Sequence, residues 1–328
     1  MYKTSTINSI SQVFDRVSRV NHRYLAGIKN IAKIFVTRRS EWSIGIYIGE
    51  SPFDLVSPDT IINPVLTAQD VTDIPAYFVA DPFMVRENDI WYMFFEVLNG
   101  IQNKGVIGLA TSTDAYKWNY QQIILDEPFH LSYPYVFKVE NDYYLIPETA
   151  EASSIRLYKA INFPTQWSYV KDLLAQGDFV DSSVFKYNDL WWLLTATSEA
   201  RNTLRLYYSQ HLMDTWIEHP KSPVIQENKR IARPAGRVIE FDNKIIRYTQ
   251  DCEQIYGYQV RAFEITELTT TNYLEQEVKH NPIIQASGMG WNQIGMHHID
   301  AHQIDKKKWV ACVDGKRYRL VFDPRFHS

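Results

Sequence analysis

The sequence has few cysteines and almost no excess charge. Cys252 and Cys312 are its only cysteines among 328 residues, which excludes a small scaffold held together by disulfides. The chain has 34 basic and 38 acidic residues, and a net charge of −4 creates no global field that would attract nucleic acid. So few cysteines favour a reducing compartment, and we therefore expect a cytoplasmic protein that does not bind nucleic acid.

Long apolar runs are missing as well. No stretch reaches the roughly 18 apolar residues of a membrane-spanning helix, and the start, MYKTSTINSISQVFDRV, lacks the apolar core of a signal peptide. No glycine-rich phosphate loop or nucleophile elbow is present. What the sequence does have is 45% hydrophobic and 14% aromatic residues, which is enough to bury a large core. We expect a folded protein without a transmembrane segment.

A short motif recurs along the chain. ADPFMVRENDIWYMFFE, SYPYVFKVENDYYLIPE and VDSSVFKYNDLWWLLTA each combine an apolar strand, an Asn-Asp turn and an aromatic-rich strand. They superpose without gaps, so that Asp81, Tyr133 and Asp181 are equivalent. Because Asn and Asp tolerate the positive φ of tight turns, each copy predicts a β-hairpin.

Two looser copies begin at Arg233 and His298, and further short strands follow the hairpins. Four strands per unit are typical of a propeller blade. We therefore predict an all-β, five-bladed β-propeller over residues 41–328, in which N-terminal strands complete the last blade. The predicted blades are roughly 81–126, 131–175, 181–226, 233–285, and 297–323 together with 42–67.

Residues 1–40 form a separate predicted segment. Apolar residues recur there at spacings of three and four, with Arg and Lys between them, which predicts a basic amphipathic helix and a linker. Through residues 10–39 this helix could dock on the propeller or on a partner protein. The alternative is that it lies on an anionic membrane surface.

The first strands of propeller blades line the central axis, so the residues at their starts should converge. The predicted rim consists of Asp81, Tyr133, Asp181, Arg233 and the His298-Asp300-His302 segment, with Glu148 and Asp251 from neighbouring strand ends.

Two resemblances point to sugar chemistry. ADPFMV followed by WYMFFE resembles the opening blade of five-bladed glycosidases of families 43 and 32. The segments EWSIGIY, VADPFMV, HLSYPYVF, ARPAGRV, TQDC, YGYQV and MHHIDAH resemble the propeller region in front of the transferase domain of plant glucosamine inositolphosphorylceramide transferases, and stand-alone bacterial relatives. The second resemblance implies a propeller, but in the plant proteins sugar transfer is assigned to the other domain.

Glycoside hydrolysis needs two carboxyl groups across the scissile bond. The resemblance to the glycosidases implies that Asp81 is a catalytic base or nucleophile, and that Asp181 orients the acid and tunes its pKa. Those families place the acid, a Glu, around the third to fourth blade, where this sequence has Arg233 and Arg237 instead. Glu148 and Glu199 are candidate acids, and we rank Glu148 higher because PET closes an inner hairpin. Each carboxylate could instead cap strand-end amides.

Other side chains at the predicted rim suit a ligand. Arg233 and Arg237 offer forks of donors that match phosphate or carboxylate, and His130 and several other histidines add to the cationic character of the rim. The alternative is that the two arginines bridge blades. Tyr133 and Trp291 could stack on a sugar ring. We list the predicted substrate-binding residues as Tyr133, His130, Arg233, Arg237, Asp251, His298 and Trp291.

His298, Asp300 and His302 alternate along a predicted strand and should share one face. Imidazoles with a carboxylate could hold a single metal ion on the propeller axis, although a hydrogen-bonded polar plug is the alternative. No cofactor is otherwise required.

The function predicted from the sequence is a carbohydrate-active enzyme that cleaves or transfers a glycosidic bond, with a carbohydrate or activated sugar as its partner. The alternatives are a non-catalytic module that binds a glycan or sugar phosphate, and an interaction platform for a biosynthetic partner or a membrane surface.

Overall fold

The computed structural model describes residues 36–197 and 200–322. The predicted helix lies outside the described residues except for its end, and Glu199 lies outside them too. Residues 36–39 are extended rather than helical, in keeping with the β-branched Val36 and Thr37 at the start of a strand. Glu41–Arg317 form one compact unit, and residues 36–40 and 318–322 belong to a second.

The described chain is almost entirely β. Two strands come first, β1 (Val36–Gly49) and β2 (Leu55–Val56). Then follow β3 (Ala76–Glu87), β4 (Ile90–Asn99), β5 (Lys104–Ser112), β6 (Asn119–Leu125), β7 (Ser132–Val139), β8 (Asp142–Glu148), β9 (Ser154–Asn162) and β10 (Gln166–Ala175). The next strands are β11 (Val180–Tyr187), β12 (Leu190–Thr197), β13 (Thr203–Ser209), β14 (Ile217–Glu218), β15 (Arg233–Pro234), β16 (Ile239–Phe241) and β17 (Lys244–Asp251). The last are β18 (Gln259–Leu268), β19 (Tyr273–Glu277), β20 (Ile284–Gln285), β21 (Ile299–Asp305) and β22 (Lys308–Phe322).

Between the described strands lie three single-turn 3-10 helices, at Ala68–Asp70, Ala150–Ala152 and Gly290–Asn292. In the part of the chain that the structure describes, no helix is long and apolar enough to cross a membrane.

The strands form five antiparallel sheets, the blades of a propeller. The first three have the orders β3-β4-β5-β6, β7-β8-β9-β10 and β11-β12-β13-β14. The fourth is β15-β17-β18-β19, with β16 also on β17 and β20 also on β18. In the fifth sheet, β2-β1-β22-β21, the two outer strands come from the N-terminal part of the described chain. The all-β five-bladed propeller predicted from the repeat is confirmed.

Two-residue turns join the inner strands as the repeat predicts. Asn88 and Asp89 have φ of 49° and 63°, and Asn188 and Asp189 have φ of 49° and 59°. These are the values that a tight hairpin turn with twisted strands requires. In the second blade Glu140 and Asn141, the equivalents of Asn88 and Asp89, form the turn, and Glu140 takes a positive φ of 56°.

A bulge recurs near the start of the inner strand in three blades. Asp81, Tyr133 and Asp181 have φ of 52°, 44° and 51°, and the register of each strand with its neighbour shifts at that point. A left-handed non-glycine residue costs on the order of 1–3 kcal/mol, so the surrounding sheet must hold it in place. A bulge also re-aims the side chain, here at equivalent places in blades one, two and three.

The fourth blade approaches the fifth through a glycine. Gly236 bridges Ile299, and a Cβ on Gly236 would lie only 1.7 Å from the Ile299 carbonyl oxygen. The core lies between neighbouring blades and is aromatic-rich, with Phe83, Phe94 and Trp192 among its fully buried side chains.

Candidate active site

Four blades contribute to a buried polar cluster that we call the central cluster, consisting of Asp81, Glu148, Asp181 and Arg233. Arg233 Nε donates a hydrogen bond to Asp181 Oδ2, and its NH2 group lies 3.9 Å from Glu148 Oε2. Asp181 Oδ2 also accepts a hydrogen bond of 2.8 Å from Gln250 Nε2. These two hydrogen bonds to one oxygen fix the orientation of the Asp181 side chain.

Glu148 ends β8, and only 12% of its side chain is exposed. Burial raises its pKa well above the usual range, and the neighbouring Asp181 carboxylate raises it further, while Arg233 opposes both effects. Within the described residues, Glu148 Oε2 has no hydrogen-bond partner. A raised pKa favours the protonated form of Glu148, which is the form that a general acid needs.

Asp81 lies in a second part of the cluster, next to the fifth blade. Its Oδ2 accepts a 3.3 Å hydrogen bond from the Tyr133 amide, and its own amide donates to Asp314 Oδ2 at 3.2 Å. Burial raises the pKa of Asp81 to about 7, and the negative charge of Asp314 adds to the shift, whereas His297 opposes it. A carboxyl group with a pKa near neutrality can both take and give a proton at physiological pH.

His297 and Asp314 form an ion pair beside Asp81. His297 Nδ1 lies 2.6 Å from Asp314 Oδ2, and His297 Nε2 lies 3.6 Å from Asp81 Oδ1. Burial lowers the pKa of His297, but the carboxylates of Asp314 and Asp81 outweigh it and the net shift is upward. The ring also stacks on Trp42, with centroids 4.0 Å apart. The raised pKa favours the protonated, positively charged form of the His297 ring beside Asp81.

One group of described residues has the spacing of metal ligands. Atoms of Asp81, His297 and Asp314 lie within 4.8 Å of one another, and all three residues are buried. His298 is fully buried next to them, with Nδ1 3.8 Å from Asp81 Oδ1 and no hydrogen-bond partner for either ring nitrogen among the described residues. Burial lowers the pKa of His298 to about 4, so its imidazole is neutral.

The three residues predicted to bind a metal from their alternation are arranged differently. Asp300 Oδ1 accepts a hydrogen bond of 2.9 Å from Arg237 Nε, and Asp300 Oδ2 lies 2.8 Å from His302 Nε2. The backbone amide of Met84 donates to Asp300 Oδ2 at 2.7 Å. With both carboxylate oxygens engaged in this way, Asp300 and His302 form a polar plug with Arg237, while His298 faces Asp81.

Arg237 bridges blades instead of facing a ligand. Its NH2 group donates to the carbonyl oxygen of Val136 at 2.9 Å and to that of Met84 at 3.3 Å, while Nε binds Asp300. One guanidinium thus ties together the first, second, fourth and fifth blades. This is the structural alternative to the predicted anion-binding role of Arg237.

Tyr133 and Trp291 are packing residues in this structure. Tyr133 has no exposed surface for a sugar ring, and its hydroxyl lies 2.9 Å from Ser183 Oγ and 3.1 Å from the Gly236 carbonyl oxygen. Trp291 covers Gly45 and Gly315, where a Cβ would come within 2.5 Å of the indole. Both predictions of sugar stacking rested on residue type; Tyr133 is fully buried, and Trp291 is partly buried against the fifth blade.

His130 and Asp251 lie around the central cluster. His130 Nδ1 accepts a hydrogen bond from the Gly105 amide at 2.9 Å, and Nε2 lies 3.4 Å from Glu96 Oε1. Asp251 Oδ2 accepts hydrogen bonds from Gln259 at 2.8 Å and Arg261 at 2.9 Å. Each is engaged by protein neighbours.

Sequence reasoning missed Glu96, Asp314 and Tyr256 as site residues. Glu96 is the equivalent of Glu148, and Asp314 lies in the corresponding strand of the fifth copy, β22, so the repeat contained a signal for both. Glu96 is buried, and burial together with the charge of Asp81 raises its pKa well above the usual range. Tyr256 lies in a loop outside the repeat and had no such signal.

Comparison with known proteins identifies the family to which the chain belongs. The family model described as "Glucosamine inositolphosphorylceramide transferase 1, N-terminal" matches residues 37–316. Glucosamine inositolphosphorylceramide transferase 1 of Oryza sativa subsp. japonica is 37% identical over 300 residues, which is 84% of this chain and 40% of that protein. The Arabidopsis thaliana protein of the same name is 34% identical and matches 84% of this chain and 39% of its own.

A solved structure supports the fold independently. The α-L-arabinofuranosidase of Podospora anserina in complex with cellotriose superposes with a TM-score of 0.54 at 12% identity, covering 87% of this chain and 98% of that one. The chain spans about two fifths of the length of its plant relatives. From the match over residues 37–316, the chain belongs to the family of glucosamine inositolphosphorylceramide transferase 1 N-terminal regions.

Proposed function

We propose that the chain is a carbohydrate-active enzyme that cleaves or transfers a glycosidic bond at the central cluster. The observation that carries the proposal is the coexistence of two carboxyl groups with different environments, Glu148 beside Asp181 and Asp81 beside His297. The relatives' name, which refers to glucosamine transfer, and the propeller shared with an arabinofuranosidase support the same class of chemistry.

In this proposal Glu148 is the general acid. Its proton passes to the glycosidic oxygen as the bond from that oxygen to the anomeric carbon breaks, so that the leaving group departs as a neutral alcohol. Asp181 is a positioning residue, because it raises the pKa of Glu148 and a hydrogen bond from Arg233 holds its side chain in place.

Asp81 has the complementary role. As a base, it takes the proton from an attacking water or sugar hydroxyl; as a nucleophile, it bonds to the anomeric carbon and is released in a second step. A pKa near 7 suits the first role, because the group is partly ionised at neutral pH.

The experiment is a screen of nitrophenyl glycosides and nucleotide-activated sugars, with and without added alcohol acceptors, read by mass spectrometry. Wild-type protein should yield a product that Glu148→Gln and Asp81→Asn do not. Glu218→Gln, which changes an exposed acid on the outer strand β14, is the matched control and should retain activity.

Two results would reject catalysis at the central cluster. The first is full turnover in both Glu148→Gln and Asp81→Asn. The second is saturable sugar binding by the wild type without a product from any donor, which would favour a non-catalytic binding module.

The docking hypothesis for residues 10–39 concerns a different part of the chain. Its basis is the basic amphipathic pattern, which predicts association with a partner protein or with anionic vesicles. Deleting residues 1–40 should remove that association and leave sugar turnover unchanged; retained association in the deletion variant would contradict it.

A further inference from the structure

Next to the central cluster lies a group of three side chains that we call the aromatic-lysine platform, consisting of Trp42, Tyr256 and Lys316. Lys316 Nζ lies 5.2 Å from the ring centroid of Trp42 and 5.6 Å from that of Tyr256. Trp42 is buried, whereas Tyr256 is 43% exposed. We propose that this platform is a subsite for a sugar that carries a negatively charged substituent, a carboxylate or a phosphate, with the ring on Tyr256 and the anion on Lys316.

The platform contacts Arg233 of the central cluster and His297, the neighbour of Asp81. Trp42 stacks on His297, whose Nε2 lies 3.6 Å from Asp81 Oδ1. The Tyr256 ring centroid lies 5.1 Å from Arg233 Cζ, and Arg233 binds Asp181. A sugar on Tyr256 would therefore lie beside the carboxyl groups assigned to catalysis, and in this respect the inference rests on the proposed function.

Lys316 differs from the arginines near the axis in having no acidic partner. Arg233 is paired with Asp181 and Arg237 with Asp300. Among the described residues, no carboxylate oxygen lies within 4.0 Å of Lys316 Nζ. Partial burial lowers the pKa of Lys316. A partly buried ammonium group gains from an anion that replaces lost hydration, so Lys316 is the cation that remains available for a ligand.

Tyr256 is held in place by its own loop, between β17 and β18. The Gly257 amide donates to Cys252 Sγ at 3.4 Å across the loop. Gly257 has φ of 69°, and a Cβ there would come within 2.8 Å of Trp42. The Tyr256 ring also meets Trp42 and His297 edge-on. A fixed, half-exposed aromatic face is what the apolar C–H side of a sugar ring stacks on, and the nearby cation adds selectivity for charge.

The test measures binding by calorimetry on the full chain. The probes are glucuronate, galacturonate and mannuronate, then glucose 6-phosphate, and the three parent neutral sugars. We expect at least one anionic sugar to bind about 10-fold more tightly than its neutral parent, and the uronate and phosphate probes show which anion is preferred. Lys316→Met should abolish the preference but retain weak binding of the neutral sugar. Lys316→Arg should keep it, and Lys307→Met, at an exposed turn, should not change it.

The subsite is overturned if no anionic sugar binds more tightly than its neutral parent, or if Lys316→Met keeps the full preference. Because the experiment measures binding, its result does not depend on whether the protein is catalytically active. A preference for anionic sugars that depends on Lys316, without turnover of any donor, would support the subsite and reject the proposed enzyme activity. Turnover of neutral donors without any preference for anionic sugars would support the enzyme activity and reject the subsite.

Discussion

Two arginine-carboxylate pairs lie near the propeller axis, and their surroundings differ. Arg237 pairs with Asp300, and Arg233 pairs with Asp181. Both arginines come from the fourth blade, four residues apart in the sequence, and both are largely buried. From the sequence they were equivalent candidates for anion binding.

Further protein groups bind both members of the Arg237 pair. Its guanidinium also binds the carbonyl oxygens of Val136 and Met84, and Asp300 receives further donors from His302 and the Met84 amide. The pKa of Asp300 is held well below its usual range, because Arg237 and His302 outweigh the effect of burial. Such a pair joins blades, and its Nε and one of its terminal amino groups are bound to protein acceptors.

The Arg233 pair has more acid around it than one guanidinium can neutralise. Glu148 Oε2 approaches Arg233 only to 3.9 Å, and the pKa values of Glu148, Glu96 and Asp81 are all raised by burial and by neighbouring carboxylates. A fully compensated pair contributes to structure, whereas an undercompensated group of acids has protons available for chemistry. The contrast identifies which arginine belongs to the candidate site.

The largest expected effect concerns the acid. Glu148→Gln should lower the turnover number about 10²- to 10⁴-fold, the range for loss of general acid catalysis, because an amide cannot deliver the proton. Initial rates on the donor found by screening measure this, with circular dichroism to check folding. A fall of less than 10-fold would place the proton donor elsewhere.

A change of similar size, but in stability, is expected at the other arginine. Arg237→Met removes one partner from a buried ion pair and leaves Asp300 uncompensated, which costs about 3–5 kcal/mol in the free energy of unfolding. Urea denaturation at pH 7 measures it. The double variant Arg237→Met/Asp300→Leu should recover much of the loss, and no recovery would show that the cost comes from packing instead of charge.

The third prediction concerns the pH dependence of stability. Asp81 has a pKa of about 7 in the folded protein and about 3.9 when unfolded, so the folded state binds more protons between those values. Stability from this group is therefore present below about pH 4 and is lost as the pH rises to 7. Asp81→Asn should flatten that decline and raise the melting temperature relative to wild type at pH 8. Parallel pH profiles of the two proteins would contradict the raised pKa.

Asp300 should make the stability of the protein depend on pH in the opposite direction to Asp81. Its pKa is depressed in the folded state, so its stabilising contribution is present above the unfolded value and is lost as the pH falls towards the folded value. Asp300→Asn should reduce the loss of stability below about pH 4, measured by urea midpoints. An unchanged loss of stability at acid pH would indicate that other carboxylates cause most of it.

The smallest effect is expected at Tyr133. Tyr133→Phe removes a buried hydroxyl bonded to Ser183 and Gly236 and should cost about 1 kcal/mol of stability. Sugar binding and turnover should remain unchanged, because the ring has no exposed surface. A large rise in the substrate KM would restore the sequence-based role of Tyr133 in binding.

The sequence alone predicted the hairpins and the equivalence of Asp81, Tyr133 and Asp181, because both depend on local chemistry repeated along the chain. Asn and Asp at the turns tolerate positive φ, and alternation assigns each strand residue to a face. These patterns in the sequence also predicted that Glu148 lies near the axis.

Only the tertiary structure decided which partners these residues have. Arg233 and Arg237 belong to the same motif, and what separates them is which carboxylates other blades bring within reach. The same holds for Tyr133, which neighbouring blades bury, and for Tyr256, which a loop outside the repeat places beside Arg233. Alternation along a strand assigns each side chain to a face of the sheet. The side chain opposite it comes from a strand distant in sequence, and only closure of the propeller brings the two together.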